Sequence, residues 1–207
     1  MEKINLNDLL SKLNADLLSK KVSGRILLDR FRVIDEDSRK TAPYLSDNYA
    51  TTYYHLGKYI EPKSVVEIGF DLGLLSACFL TSCKSVENFL GFKEASKDFA
   101  SIRLGKKNIR LVFKKDADYY IGKLYDKEFD EKINLHDLIV LNIEQNYDKH
   151  LEYLDFMWEH LKEHGIIVAE YINRHTPAKE AFMAFCESKN REFIEIPTRY
   201  GTGLVQK

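Results

Sequence analysis

Lys63-Ser-Val-Val-Glu-Ile-Gly-Phe-Asp-Leu-Gly-Leu-Leu-Ser76 is the stretch on which the fold turns. A β-branched apolar run (Val65, Val66, Ile68) stops at Gly69. Gly73 follows four residues on, and then an apolar, helix-compatible run through Leu80. The pattern predicts a strand, a glycine turn and a helix. Glycine tolerates positive φ and lets a ligand come close to the backbone. The helix that follows points its free N–H groups at the turn. Glu67 is expected at the carboxyl end of the strand, where open α/β sheets bind ligands. A carboxylate there suits a cationic or hydroxyl-bearing ligand and not a bare phosphate. Phe70 and Asp71 lie inside the turn, and Asp71 is expected to face solvent.

Strands and helices alternate onward from this stretch, which predicts an α/β fold with a mainly parallel, doubly wound sheet. The expected strands are Val65–Ile68, Asn88–Phe92, Ile109–Phe113, Leu138–Asn142 and Ile166–Ala169. The expected helices are Leu72–Ser82, Ala95–Leu104, Tyr119–Tyr125, His150–Leu161 and Pro177–Lys189. Gly165 is expected to close the fourth of these. Phe193–Pro197 and Gly203–Gln206 are expected to form a terminal hairpin that ends in an antiparallel strand. Ahead of the sheet, Leu6, Leu9, Leu10, Leu13, Leu17 and Leu18 recur at helical spacing. Residues 23–48 are polar and turn-rich, and Tyr49–Ile60 reads as a helix closed by Pro62. Residues 1–60 are thus expected to be a helical extension and 61–207 the sheet domain.

At 207 residues the chain suits one such domain with a sizeable core. The formal net charge of −1 argues against a nucleic-acid scaffold held by phosphate contacts. No apolar run approaches the roughly 18 residues of a membrane span, and no secretory signal is evident. Three cysteines without metal spacing (Cys78, Cys83, Cys186) point to reduced thiols and a cytoplasmic protein. The amphipathic N-terminal helix is expected to cover the sheet or to join copies of the chain in a homo-oligomer.

Glu67, Gly69 and Gly73, with Ser76 close behind, resemble motif I of the class I S-adenosylmethionine-dependent methyltransferases, in the form found among small-molecule O-methyltransferases. Asp137-Leu-Ile-Val-Leu-Asn142, His164-Gly-Ile-Ile-Val-Ala-Glu170 and Gly201-Thr-Gly-Leu-Val-Gln-Lys207 resemble that family's fourth, fifth and closing strands. The resemblance spans about residues 44 to 207. It implies a Rossmann-like methyltransferase fold, S-adenosylmethionine as cofactor and a small-molecule acceptor. It also implies that the Gly69–Gly73 turn, with Phe70 and Asp71, wraps the methionine end while Glu67 orders its amino group. Alternatively, the glycines serve only the strand-to-helix turn.

The family's acid that accepts the ribose hydroxyls falls at Lys93, and Glu94 follows it. Lysine cannot accept a hydrogen bond. Either Glu94 takes the role or ribose recognition is lost. Asp116 and Ala117 match the segment whose acid meets adenine, although an Asp there also suits a helix N-cap. Metal-dependent relatives place acids after strands four and five. Here Asn142 and the pair Glu170-Tyr171 stand there. Asn142 and Glu170 supply one negative charge, and Glu144 sits beyond the strand, so no metal is expected. A related branch carries a histidine base where this chain has Gln145, which leaves Asn142, Glu170 and His175 as catalytic candidates. The cluster Tyr44, Tyr49, Tyr53 and Tyr54 is expected to cover the site or to pack on the sheet. Two functions follow: an O-methyltransferase, or a catalytically degenerate binding or structural subunit of the same fold.

Overall fold

The computed structural model describes residues 1–31, 48–94, 99–143, 146–174 and 176–207. Three helices come first: α1 (Leu6–Ser19), α2 (Gly24–Leu28) and α3 (Tyr49–Tyr59). Then β1 (Ser64–Ile68), α4 (Leu74–Ser82), β2 (Asn88–Glu94), α5 (Phe99–Val112) and β3 (Ala117–Gly122) alternate. The chain continues through α6 (Lys127–Ile133), β4 (His136–Leu141), α7 (Tyr147–Glu159), β5 (Leu161–Glu170) and α8 (Thr176–Ser188). The hairpin β6 (Phe193–Ile196) and β7 (Thr202–Gln206) ends it.

The seven strands order as β3-β2-β1-β4-β5-β7-β6. β7 runs antiparallel to both its neighbours, and the other pairings are parallel. β1 and β4 are buried along their whole length, whereas the edge strands β3 and β6 alternate in exposure. This is the expected contrast between strands covered on both faces and strands at a margin. Leu9, Leu13, Tyr53, Leu56, Phe70, Phe79 and Phe89 form a core on one face, beneath α1 to α5. Phe92, Phe129, Tyr153, Trp158 and Phe182 form the other, beneath α6 to α8. The first three helices share the sheet's own core. Leu9 and Leu13 of α1 are buried there, and Leu18 remains on the surface.

The third strand is a correction. The segment Ile109–Phe113 was expected as a strand; it is an apolar run broken only by Arg110. It is instead the end of α5, whose buried positions Ile102, Gly105 and Ile109 follow a helical period, and Leu111 faces solvent. The strand is Ala117–Gly122, where a helix over Tyr119–Tyr125 was expected. Its Tyr-Tyr-Ile run suits a pleated, half-buried surface. The polar stretch after it forms α6 by burying Phe129 and Ile133 one turn apart, with Glu128 and Asp130 in the first turn and Lys132 in the last.

Gly165 does not close a helix either. α7 ends at Glu159, and Gly165 lies inside β5, where the register with β4 jumps from His136↔Leu161 to Leu138↔Ile166. His164 takes a positive φ of 62° within this bulge.

His150 of α7 is fully buried, and neither ring nitrogen has a hydrogen-bond partner among the described residues. Burial alone pushes it down to about 4. An unfolded histidine protonates near 6.5. The folded chain therefore loses stability as pH falls from about 6.5 toward 4, where only the unfolded chain takes up the proton. His150→Phe is expected to flatten this loss relative to the parent in urea titrations across that range. Identical slopes in parent and variant would contradict it.

Candidate functional site

β1 ends in the glycine turn, and its neighbours pin that turn on both sides. Gly69 and Phe70 both donate their N–H to the Phe92 carbonyl of β2, at 3.0 and 2.7 Å. On the other side Asn142 N–H donates to the Ile68 carbonyl at 2.7 Å. Gly69 has φ +89° and Gly73 φ +61°. A Cβ on Gly69 would lie 2.1 Å from the Asn142 carbonyl oxygen, so the close approach of β4 requires glycine there. The Gly73 carbonyl accepts from Ala77 N–H at 2.9 Å and opens α4.

Phe70 turns into the core, with its ring 5.2 Å from that of Tyr119 and 6.0 Å from that of Phe89. Gly73, Gly91 and Gly105 form its cradle, each with an imagined Cβ within 3.0 Å of the ring. The backbone of Phe70, and not its side chain, is therefore what remains at the turn. α5 closes over the turn from outside. Asn108 Nδ2 donates to the Leu72 carbonyl at 2.9 Å, and a Cβ on Gly105 would lie 2.2 Å from the Asp71 carbonyl oxygen. Neither residue was evident from sequence. A lone glycine inside a helical pattern was the available signal for Gly105.

Glu67 is fully buried on the α3–α5 face. Ser76 Oγ donates to one carboxyl oxygen at 2.5 Å and Asn142 Nδ2 to the other at 3.1 Å. Burial pushes its carboxyl up to about 7 against these two hydrogen bonds. Asp71 is on the rim, where the Lys93 ammonium lies 3.7 Å from its Oδ1. Glu94 alternates to the opposite sheet face, beside Tyr153 of α7. It thus faces away from Lys93, because successive strand residues point to opposite sides.

Asp116 and Ala117 are a second correction. Ala117 starts β3, where it pairs with Phe89, and Asp116 directly precedes it, so both sit at the amino end of the sheet. The misplaced third strand had put them at the carboxyl end. The carboxyl end of β3 presents Gly122 and an exposed Lys123 instead.

Glu170 closes β5 and is also fully buried. Tyr53 of α3 donates to its Oε1 at 2.6 Å, and Thr202 Oγ1 of β7 lies 3.0 Å from both oxygens. Burial pushes Glu170 up to about 8, and the nearby Glu67 adds to the rise. Glu67, Asn142 and Glu170 therefore line one side of the carboxyl rim. His175, Glu144, Gln145 and Tyr44 lie outside the described residues. A cavity of ≈ 560 Å³ between α1 and α3 is lined by Asp16, Thr51 and His55. It lies on the outer side of α3, away from the side on which Tyr53 meets Glu170.

The sequence matches no protein-family model, and no curated protein matches it. Solved structures do resemble it. A methyltransferase from Geobacter sulfurreducens superposes with a TM-score of 0.69 at 13% identity, covering 95% of this chain and 96% of that one. Cofactor-bound Rv0187 from MTB gives 0.63 at 13% identity, covering 99% and 98%. The SAH-bound methyltransferase PaMTH1 from Podospora anserina gives 0.60 at 14% identity, covering 99% and 89%. The chain has the Rossmann-like fold of the class I methyltransferases.

The clamp on the turn can be tested by overfilling it. Gly105→Ala is expected to destabilise the protein by about 1–3 kcal/mol, the usual range for an overpacked site. Chemical denaturation measures this, and an unchanged midpoint would mean that α5 does not clamp the turn.

Proposed function

We propose that this chain transfers a methyl group from S-adenosylmethionine to an oxygen of a small acceptor. The observation that carries the proposal is the buried Glu67 beside two positive-φ glycines, at the carboxyl end of a central strand. Support comes from the fold and from neighbours of that fold that are named methyltransferases, one of them SAH-bound.

The residues fit the amino-acid end of such a donor. The turn brings backbone close, α4 begins there, and Glu67 can take a cationic group once ionised. The ribose end meets Lys93, which offers no acceptor. When bound, the donor supplies an electrophilic methyl carbon. The chain's part is to hold it in line with the acceptor, a positioning task that needs few acid–base groups.

Among the described residues no helix is long and apolar enough to cross a membrane. A cytoplasmic enzyme with a small-molecule acceptor is the setting we propose. A binding or structural subunit of the same fold is the second reading. Two observations favour it: Lys93 is paired with Asp71, and Asn142 is engaged by Glu67.

Thermal-shift titration with S-adenosylmethionine and S-adenosylhomocysteine separates the two. A ligand at 100 times its Kd stabilises the fold by about 2.7 kcal/mol. Glu67→Ala and Gly69→Val are each expected to abolish that gain, and Lys93→Asp to enlarge it. No stabilisation of either the parent or Lys93→Asp would leave the second reading.

The pH dependence of binding provides another check. A cationic ligand group favours ionised Glu67, which in the free protein titrates near 7. Affinity is therefore expected to rise with pH, being about tenfold weaker at pH 6 than at pH 8. Affinity that is flat in pH would remove Glu67 from the contact.

A further inference from the structure

Charge is unevenly placed along the chain. Residues 99–115 hold six Lys and Arg and no Asp or Glu. The other 25 of the chain's 31 Lys and Arg are set against all 32 Asp and Glu. Folding gathers the six cations on α5 and the turn that follows it. The inner side of the helix carries Ile102, Gly105 and Ile109, all buried. Arg103, Lys107 and Arg110 recur at intervals of four and three on the opposite side, and Lys114 continues the stripe just past the helix end. All four are exposed. Phe99 and Leu111 flank the stripe and are 62% and 48% exposed.

None of the four stripe cations forms an ion pair among the described residues. On α6 and α7, by contrast, Lys127, Lys132 and Lys149 lie 3.6, 4.0 and 3.3 Å from Glu131, Glu128 and Glu152. The stripe therefore presents uncompensated charge that suits an anionic partner. Size selects the class of partner. A helix of 14 residues is about 21 Å long and shows a strip about 10 Å wide, roughly 200 Å² in all. A protein partner buries about 800 Å² on each side, and nucleic-acid-binding modules bury about 600–1,000 Å². The strip is too small for either. A lipid surface needs no shaped complement, because each cation near an anionic leaflet contributes on its own, about fivefold in affinity. The apolar side chains point the same way. Leu111 has no ring to stack on a base, and both it and Phe99 gain by leaving water.

We propose that the outer face of α5 docks the protein on an anionic membrane surface. Arg103, Lys107, Arg110 and Lys114 meet the phosphates and carboxylates of the lipid headgroups, and Phe99 and Leu111 enter the headgroup layer. The helix backbone stays where the buried Ile102 and Ile109 anchor it, so only these side chains penetrate. Attachment is peripheral and reversible, since a charge signal with two shallow apolar contacts holds far less firmly than a spanning helix. It is also sensitive to salt, because exposed charges are screened within about 10 Å at 0.1 M and about 3 Å at 1 M. The proposal stands independently of the methyltransferase reading.

The test floats the full chain with vesicles of phosphatidylcholine alone and with vesicles containing roughly one third phosphatidylserine. Binding to the anionic vesicles is expected to be at least about a hundredfold stronger at 0.1 M salt, and to vanish at about 1 M. Arg103→Gln/Lys107→Gln/Arg110→Gln is expected to weaken it by about a hundredfold, at about fivefold per cation. Phe99→Ser/Leu111→Ser is expected to weaken it several-fold and to leave its salt dependence in place. Lys127→Gln/Lys132→Gln on α6 removes charge from paired positions and is expected to change nothing. Thermal midpoints check that the variants fold, and the lipid preference and salt response of the parent decide the proposal without any of them. Equal binding to both kinds of vesicle, no binding to either, undiminished binding by the folded triple variant, or an equal loss in the α6 variant overturns it. Tighter binding to a single-stranded RNA oligonucleotide than to the anionic vesicles also overturns it and assigns the stripe to nucleic acid.

Discussion

The structure around the rim depends on a carboxyl group buried in the middle of a hydrophobic sheet. Glu67 sits between Val66 and Ile68 on a strand with no solvent on either face. An isolated carboxylate there would cost far more than one strand of apolar contacts returns. The group is tolerated because Ser76 and Asn142 donate to its two oxygens and because it holds a proton near neutrality. Each partner then constrains an element. Ser76 fixes the first turn of α4 over the end of β1. Asn142 fixes the end of β4 beside Gly69, close enough that a Cβ there would strike its carbonyl.

Glu170 repeats the arrangement two strands away, with Tyr53 and Thr202 as donors. These contacts tie α3 and β7 to the same rim. Both acids are raised by burial, so the folded chain holds protons that the unfolded chain has released. Their contribution to stability is complete below the ordinary carboxyl value of about 4.5 and is lost as pH rises through about 7 and 8. The buried histidines have the opposite sign, since His136 and His150 are pushed down to about 4. Between roughly pH 4.5 and 6.5 the two sets oppose one another, so the rim acids and the histidines flatten each other's pH dependence there.

The central strands were legible because each is a run of β-branched and aliphatic residues bounded by glycine or polar residues. The segments Val65–Ile68 and Leu138–Asn142 needed only that signal. The third strand was not legible for a physical reason. The segment Ile109–Phe113 is apolar but for Arg110 and so reads like a strand, but Gly105 and Asn108, one turn earlier, bind it into α5 by contacts to the 71–72 backbone. Those contacts cross more than thirty positions of sequence, and no local pattern reports them. The error carried Asp116 and Ala117 to the wrong end of the sheet. The partners of Glu170 were equally hidden, since Tyr53 and Thr202 come from opposite ends of the chain.

The turn itself is organised before any ligand arrives. Hydrogen bonds from Gly69, Phe70 and Asn108, with the glycine contacts, hold its backbone. A ligand therefore avoids most of the ordering entropy that a mobile loop would demand. What it meets at the rim is the Lys93–Asp71 pair. Both side chains are partly exposed and the separation is 3.7 Å, so the pair contributes about 0–1 kcal/mol and yields easily. On the methyltransferase reading proposed above, the missing acceptor would be the larger effect. Each charge-assisted hydrogen bond that a carboxylate would make to a ribose hydroxyl is worth about 1.5–3 kcal/mol. Lys93 supplies none, and Glu94 faces Tyr153 on the far side of the sheet. On that proposed methyltransferase reading, the identity of the side chain at position 93, and not the ion pair it makes, would limit how tightly an adenosyl ligand is held.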